Sequence, residues 1–442
     1  MSIGIDLWTK KDWTASFIAI SSCYFCTEQN KPEHILLSLE EVAHPHTAQS
    51  IKACVDKCMQ EWDVPHEKVM AVITDNGSNM VAAFKSNTSE EEDSSDDSED
   101  PMENFSESEA DELRYHNTNL ERIPCVVHSL QLVVHLLQKE ASVNRLVDKA
   151  RSVVKLFRKS SVATQRLLEK CGLIVVNDCP TRWSSTYNII TRLLAVKDSV
   201  SQIAHDMGWD SLLPSEWQKL TSLQQLLLPF AEHTQTLQSD TMSMSLVVPA
   251  LLDLLSHLTD FEENTSYRDL ATLAGKMKGG IRLRFACMLD PNDEKFPPLA
   301  AAACFVNPSV CETLVNVTSD NVQELLDQAE EYVVQSAHSE QVEGSEENVD
   351  ESKGEPEVAP CSSKKPVFRF LSKFSSTPKK RFSTNDIRQQ IRKYKEELSQ
   401  PIVSETGTEF WLEKSDSLYE NLKPFALDLL AMPASQAFAE SV

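Results

Sequence analysis

The sequence predicts an α/β unit at the N-terminus followed by a long, mainly helical block. Three observations predict it. The first 85 residues alternate short β-rich runs with one amphipathic helix. From Val143 to about Val334 apolar residues recur at helical spacing. Two strongly charged stretches, poor in apolar residues, interrupt the chain and separate its blocks.

The elements follow in order. Ser2 to Trp8 reads as a strand with Ile3, Ile5 and Leu7 alternating. Thr14 to Phe25 is β-rich and apolar, and His34 to Leu39 is a third strand. The short gaps between them suit antiparallel hairpins. Thr47 to Trp62 carries Ile51, Cys54, Val55, Cys58 and Trp62 on one helical face. Val69 to Thr74 is a buried strand, and Ser78 to Phe84 begins another helix. Ile123 to Leu137 reads as a short strand running into a helix. Pro229, Pro249, Pro291 and Pro297-Pro298 punctuate the helical block, and Val322, Leu325, Leu326, Ala329 and Val333 line one face of its last helix. A helix is predicted over Asn385 to Leu398, and the stretch from Glu409 onward reads as helical with breaks at Pro424 and Pro433.

The order β-β-β-α-β has a chemical consequence. A right-handed crossover through the helix puts the fourth strand parallel to the first. Asp6 on strand one and Asp75 at the end of strand four then lie close together. Paired carboxylates repel unless a cation sits between them, which is a metal-site arrangement. The alternative is that Asp75, in Thr-Asp-Asn-Gly, is a turn-forming residue.

Charge narrows the function. The 442 residues carry a net charge of −25, with 41% apolar residues. Such a chain can build a sizeable core but is no bulk-basic nucleic-acid binder, so any DNA contact requires a local patch. Glu90 to Glu112 holds 13 acids and no base, and is expected to be disordered. Ala337 to Val358 holds 8 acids and one lysine; Lys364 to Lys395 then holds 11 bases and one acid. That basic segment, with Lys379, Lys380 and Arg381, reads as a nuclear-import patch, a DNA-backbone contact or a solvated linker. No apolar run approaches the length that crosses a bilayer, and no secretory signal follows Met1, so no membrane partner is expected. Eleven scattered cysteines read as free thiols in a reducing compartment. Cys23-x-x-Cys26 and Cys54/Cys58 read as core packing.

Five segments in order carry a family likeness: GIDLWT (Gly4 to Thr9), TDNGSNMV (Thr74 to Val81), CVVHSLQL (Cys125 to Leu132), TRWSSTYN (Thr181 to Asn188), and EFWLEK with LLAMPASQAFAES near the C-terminus. The sequence resembles hAT-superfamily DNA transposases, in particular the domesticated, zinc finger BED-type proteins descended from them. The resemblance implies a ribonuclease-H-like mixed sheet interrupted by a large all-helical insertion. It divides the chain into 1–87 (first part of the core), 88–113 (acidic insert), 114–142 (core continuation), 143–335 (helical insertion), 336–384 (acidic-then-basic linker) and 385–442 (a C-terminal region with a shortened dimerisation segment).

By this resemblance Asp6, Asp75 and Glu440 are the ancestral catalytic, metal-holding triad. The family's chemistry is DNA cleavage and strand transfer with two divalent cations, Mg²⁺ or Mn²⁺, held by oxygen ligands. Glu440 is also readable as a frayed terminal residue. Arg182 and Trp183 match the family's DNA-contacting pair; the other reading of Trp183 is a buried ring at a helix start. Cys125 and His128 match a Cys-x-x-His element read as structural support, with no second pair at finger spacing and hence no structural zinc site expected.

Two departures shape the functional expectation: no BED finger precedes Ser2, and Glu440 is followed by two residues only. The expectation is therefore a nuclear, transposase-derived protein, catalytically inactive, with DNA association, homodimerisation and transcriptional regulation as its roles. The alternatives are a functional two-metal transposase, and a helical scaffold that never touches nucleic acid.

Overall fold

The computed structural model describes residues 1–10, 15–84, 121–176, 183–293, 298–317, 319–343, 384–400, 404 and 406–441. The acidic run Glu90 to Glu112, Arg182, and Lys379 to Arg381 lie outside the described residues.

The N-terminal sheet has five strands: β1 (Ser2–Thr9), β2 (Ser16–Cys26), β3 (Lys31–Val42), β4 (Ala71–Thr74) and β5 (Arg122–Pro124), in spatial order β3-β2-β1-β4-β5. β1–β2 and β2–β3 are antiparallel, whereas β4 runs parallel to both β1 and β5. This is the crossover expected from the element order. The crossover helix α1 (Ala48–Glu61) is capped by Thr47, whose side chain accepts from the Ser50 N–H. After β4 comes the short helix α2 (Ser78–Ala83), and after β5 the helix α3 (Val126–Val134).

β3 is longer than the sequence suggests, since it follows β2 along its whole length. Lys31, Pro32 and Glu33 at one end and Glu40 and Glu41 at the other disguise it as loop. A bulge between Ile20 and Ser21 leaves Leu37 as the extra residue on this edge strand. The Trp62 indole caps the Leu37 carbonyl at 3.0 Å.

The two sheet faces bury different things. Ile3, Ile5, Ile18, Ile20 and Val72 pack against Ile51, Val55, Cys58 and Met59 of α1 and Met80 of α2. The other face of β1 and β2 carries Gly4, Asp6, Ala19, Ser21 and Cys23, all small or polar. Strips of small residues let backbone approach closely, and here the chain's far end does so. Cys23 donates its thiol to the Ala431 carbonyl at 3.1 Å, and the Phe25 N–H donates to Asp428 Oδ1 at 3.0 Å. Burial pushes the Cys23 thiol up to about 12, so it stays protonated and packs as core.

Beyond α3 the described chain is helical. A single large apolar cluster runs from Ala71, Ile73 and Ile123 through the helical block to Ala434. Tyr394 and Trp411, fully buried and stacked at 5.1 Å, fasten the last helices to this block. Their polar tips are satisfied by the Phe305 and Val306 carbonyls at 2.8 and 2.7 Å. The stretch Met244–Glu263 is long and apolar enough, by length and composition, to cross a membrane. Leu251, Leu254, Leu258 and Phe261 nevertheless lie in the protein core, so it serves as a core helix.

Candidate metal centre and nucleic-acid face

The register decides where the two aspartates fall. Ile5 pairs with Thr74 across the parallel β1–β4 ladder, so the next position on each strand is Asp6 and Asp75. Ile3 and Ile5 point to the α1 face; Asp6, one residue on, points the other way. Asp75 comes one residue beyond the end of β4, so the two aspartates occupy neighbouring positions on adjacent chain segments, whose backbones are about 4.8 Å apart within the sheet.

Asp75 is held from several sides. Arg122, 5% exposed on β5, donates from Nε to Thr74 Oγ1 at 2.8 Å and from Nη2 to the Asp75 carbonyl and to Asn76 Oδ1. Asn76 in turn donates to Ser129 Oγ on α3 at 3.0 Å. The Cys125 N–H donates to the Thr74 carbonyl at 2.7 Å. Asp75 itself accepts the Gly77 N–H through Oδ1, the turn role foreseen as its alternative. A turn and a carboxylate facing the cradle are compatible, because the turn uses one oxygen.

Cys125 is 2% exposed and begins α3; His128 is half-buried. The backbone of this element supports the loop that carries Asp75. Arg122 was missed in the sequence because nothing in Glu-Arg-Ile-Pro signals a buried guanidinium. The single arginine of β5 becomes meaningful only once β5 is seen beside β4.

The C-terminal stretch supplies the rest of the site. It hydrogen-bonds into the protein at several points: Val126 N–H to the Ala434 carbonyl, Ala434 N–H to Ser243 Oγ, and Met244 N–H to the Met432 carbonyl. The short helix Ala437–Ser441 packs on β1 and β2, with Ala439 1% exposed. The backbone at Glu440 is thus part of a packed helix and not frayed; its side chain lies outside the described residues. Phe438 stacks on His34 at 4.0 Å, and His34 bridges Ser21 Oγ and the Asp240 carbonyl. Gln436, unforeseen in the sequence, donates from Nε2 to Asp6 Oδ1 at 2.9 Å.

The carboxylates of Asp6 and Asp75, at neighbouring positions, are oxygen donors of the kind that suits a hard divalent cation. Gln436 Oε1 is buried and has no hydrogen-bond partner. Among the described residues, no three His, Cys, Asp or Glu side chains converge on one point.

Trp183 opens the helix Trp183–Ala195 and is 6% exposed, packed in the helical core. It lines a cavity with His135, Gln138, Asn144, Arg151 and Thr186. Stacking on a base would require the ring to leave that core.

A basic face that the sequence reading passed over lies on the helices Ala141–Lys159 and Ser161–Cys171. Together they hold eight Lys and Arg against two acids. Arg145, Lys155, Arg158, Lys159, Arg166 and Lys170 are exposed. The core side of the first helix takes Val143, Leu146, Val147, Ala150, Val153, Val154 and Phe157, which leaves the cations outward. The strongly acidic total masks this patch.

A mixed five-stranded sheet of this order, with two aspartates at adjacent strand positions and a helical block behind it, defines a ribonuclease-H-like protein. Residues 4–99 match the family model of the ZBED1 RNase-like domain, and residues 123–226 that of the ZBED1 RNase-like helical domain. The chain belongs to the zinc finger BED-type, hAT transposase-derived proteins. It is 21% identical over 298 residues to a putative transcriptional regulator, tpeD, of Talaromyces stipitatus, covering 60% of this chain and 33% of that one. It is 22% identical over 187 residues to the human zinc finger BED domain-containing protein 4, covering 38% of this chain and 16% of that protein. The chain therefore spans a third or less of these curated relatives.

Proposed function

We propose that this protein of transposase descent acts as a nuclear, DNA-associated regulator that self-associates and does not carry out strand transfer. The observation that carries the reading is the exposed basic face of Ala141–Cys171. In a chain of net charge −25 it offers phosphate backbones a concentrated attraction. The relative named as a putative transcriptional regulator supports the regulatory part. The basic segment containing Lys379, Lys380 and Arg381 supports nuclear import and further backbone contact. Self-association rests on the resemblance of the tail, and sedimentation velocity tests it.

In this reading Asp6 and Asp75 hold a divalent cation, Mg²⁺ or Mn²⁺. When bound, it would neutralise the two carboxylates and polarise a phosphate or water oxygen. Arg122, Cys125 and Asn76 keep the Asp75 loop in place, and the tail keeps solvent from Asp6. The third acid that the resemblance assigns, Glu440, lies on the helix Ala437–Ser441.

Duplex binding tests the reading. The Lys155→Glu, Arg158→Glu, Lys159→Glu triple variant is expected to bind labelled duplex at least tenfold more weakly, with a visibly shallower salt dependence. Unchanged binding would remove its basis. The second reading, an active transposase, is favoured by one observation: the two aspartates follow the paired residues Ile5 and Thr74 of the parallel β1–β4 ladder. It predicts Mg²⁺-dependent nicking of terminal-repeat DNA that Asp75→Asn abolishes.

A further inference from the structure

We propose that Ser161 is a phosphorylation site for a serine kinase that reads basic residues, and that the added phosphate releases the basic face from DNA. The release rests on the nucleic-acid reading given above. The site itself rests on the residues around Ser161.

The helices Ala141–Lys159 and Ser161–Cys171 are joined by one extended residue, Ser160, with φ −112° and ψ 106°. Phe157 and Ala163, both 0% exposed, pin this corner on either side. Between them Arg158, Lys159, Ser161 and Val162 are exposed, and Ser160 is half-buried. The two hydroxyls differ. Ser160 Oγ is engaged as the helix cap and accepts from the Ala163 N–H at 3.2 Å. Ser161 has no such duty and begins the helix in solvent.

Its neighbours are those that a kinase with an acidic substrate groove recognises. Cations stand three and two residues before it, at Arg158 and Lys159, and an apolar residue follows, Val162, 53% exposed. Carboxylates in the groove hold the two cations and so set the register. Such a groove takes its substrate extended, so the corner must open locally. Ser160 is extended already, and its ties are few: its N–H donates to the Phe157 carbonyl at 3.1 Å, its carbonyl accepts from the Thr164 N–H at 3.0 Å, and its hydroxyl makes the cap. Helix ends open at the lowest cost in free energy.

In the transfer, Ser161 Oγ attacks the γ-phosphorus of a nucleoside triphosphate that the kinase brings. The Oγ–P bond forms as the bond from that phosphorus to the β–γ bridging oxygen breaks. The nucleoside diphosphate leaves, and the hydroxyl proton passes to an aspartate of the kinase. The product alters the face. The two helices carry a net charge of +6, and phosphoserine adds about −1.5 to −2. The phosphate stands at the head of an 11-residue helix, where the macrodipole favours an anion. Arg158 and Lys159 then have a phosphate of their own chain to pair with, in place of one on DNA.

The catalytic subunit of cyclic-AMP-dependent kinase, with Mg²⁺-ATP, is the probe, applied to the full chain and followed by site mapping with mass spectrometry. Phosphate is expected on Ser161. The treated protein should bind labelled duplex at least tenfold more weakly, with a salt slope shallower by about 1 to 2, and should melt no lower than before. Treated Ser161→Ala should keep wild-type affinity. No phosphate on Ser161, with or without labelling of Ser383 after Lys380-Arg381-Phe382, overturns the site. A loss of affinity that treated Ser161→Ala shares overturns the release. So does phosphate on Ser161 with unchanged affinity; if the Lys155→Glu, Arg158→Glu, Lys159→Glu variant still binds weakly, the nucleic-acid reading stands without it. If that triple variant also binds like wild type, the reading and the release fall together.

Discussion

The Arg122 guanidinium lies under the Asp75 peptide, donating to its carbonyl and, at 2.8 Å through Nε, to Thr74 Oγ1. A buried cation thus fixes the backbone on which a carboxylate stands. Replacing Arg122 by Leu leaves the Asp75 carbonyl and Asn76 short of donors. The expected loss is about 2–4 kcal/mol of stability, since hydrogen bonds from charged groups are the stronger ones. Urea unfolding of Arg122→Leu checks it. A loss below about 0.5 kcal/mol would show that the clamp is idle.

Gly4 is the one position on β1 where the neighbouring strand forbids a side chain. A Cβ there would meet Ser21 Oγ at 2.8 Å. Gly4→Ala is expected to cost about 1–3 kcal/mol through overpacking. Ser21→Ala removes the obstacle, so the double variant should recover part of the loss. A thermodynamic cycle that returns strictly additive changes would refute the collision.

The pH dependence of stability holds two opposed contributions. Burial pushes the Glu121 carboxyl up to about 7 from its ordinary value. The folded protein therefore binds its proton more tightly than the unfolded chain does. The stability so gained is complete below about pH 4.5 and is lost as pH rises through about 7. His34, His46 and His135 are shifted the other way, down from 6.5, chiefly by desolvation. Their contribution is present above 6.5 and fades as pH falls below it. Glu121→Gln should stabilise the protein more at pH 8 than at pH 5, by a difference on the order of 1–3 kcal/mol. His34→Gln should flatten the fall in melting temperature below pH 6.5. Equal shifts at both pH values would contradict the assignment.

Trp183 separates packing from recognition. Its burial predicts that Trp183→Ala costs about 3–5 kcal/mol, the usual toll for emptying a large core site. Trp183→Phe keeps most of the volume and should leave duplex affinity within about twofold. A large affinity loss in a stable Phe variant would mean that the indole does reach nucleic acid.

Much of this was legible in the sequence, and the reasons differ from residue to residue. Ile3, Ile5 and Leu7 alternate cleanly because one face of β1 is apolar and the other carries Gly4 and Asp6. The parallel placement of β4 follows from one crossover helix and a handedness rule. Asp6 and Asp75 were legible because the strand order decides their neighbourhood. Arg122, Gln436 and the Lys155–Lys159 cations were not. The first two gain meaning from contacts 48 and 430 residues away in the chain. No local period records such contacts. The cations were lost in a net charge dominated by the acidic stretches. Glu440 reads in the sequence as the third acid by resemblance, with a frayed residue as the alternative; packing of Ala439 and Phe438 holds its backbone in a helix.

The tie between Asp6 and Gln436, like those of Cys23 to Ala431 and Phe25 to Asp428, joins residues 430, 408 and 403 positions apart. At about 5–20 residues per second, translation delivers the second partner roughly 20–90 seconds after the first. Throughout that interval the nascent chain holds one side of its earliest hairpin bare on the ribosome. That bare side waits on residues more than 400 positions downstream, so a chain cut before them leaves the hairpin uncovered.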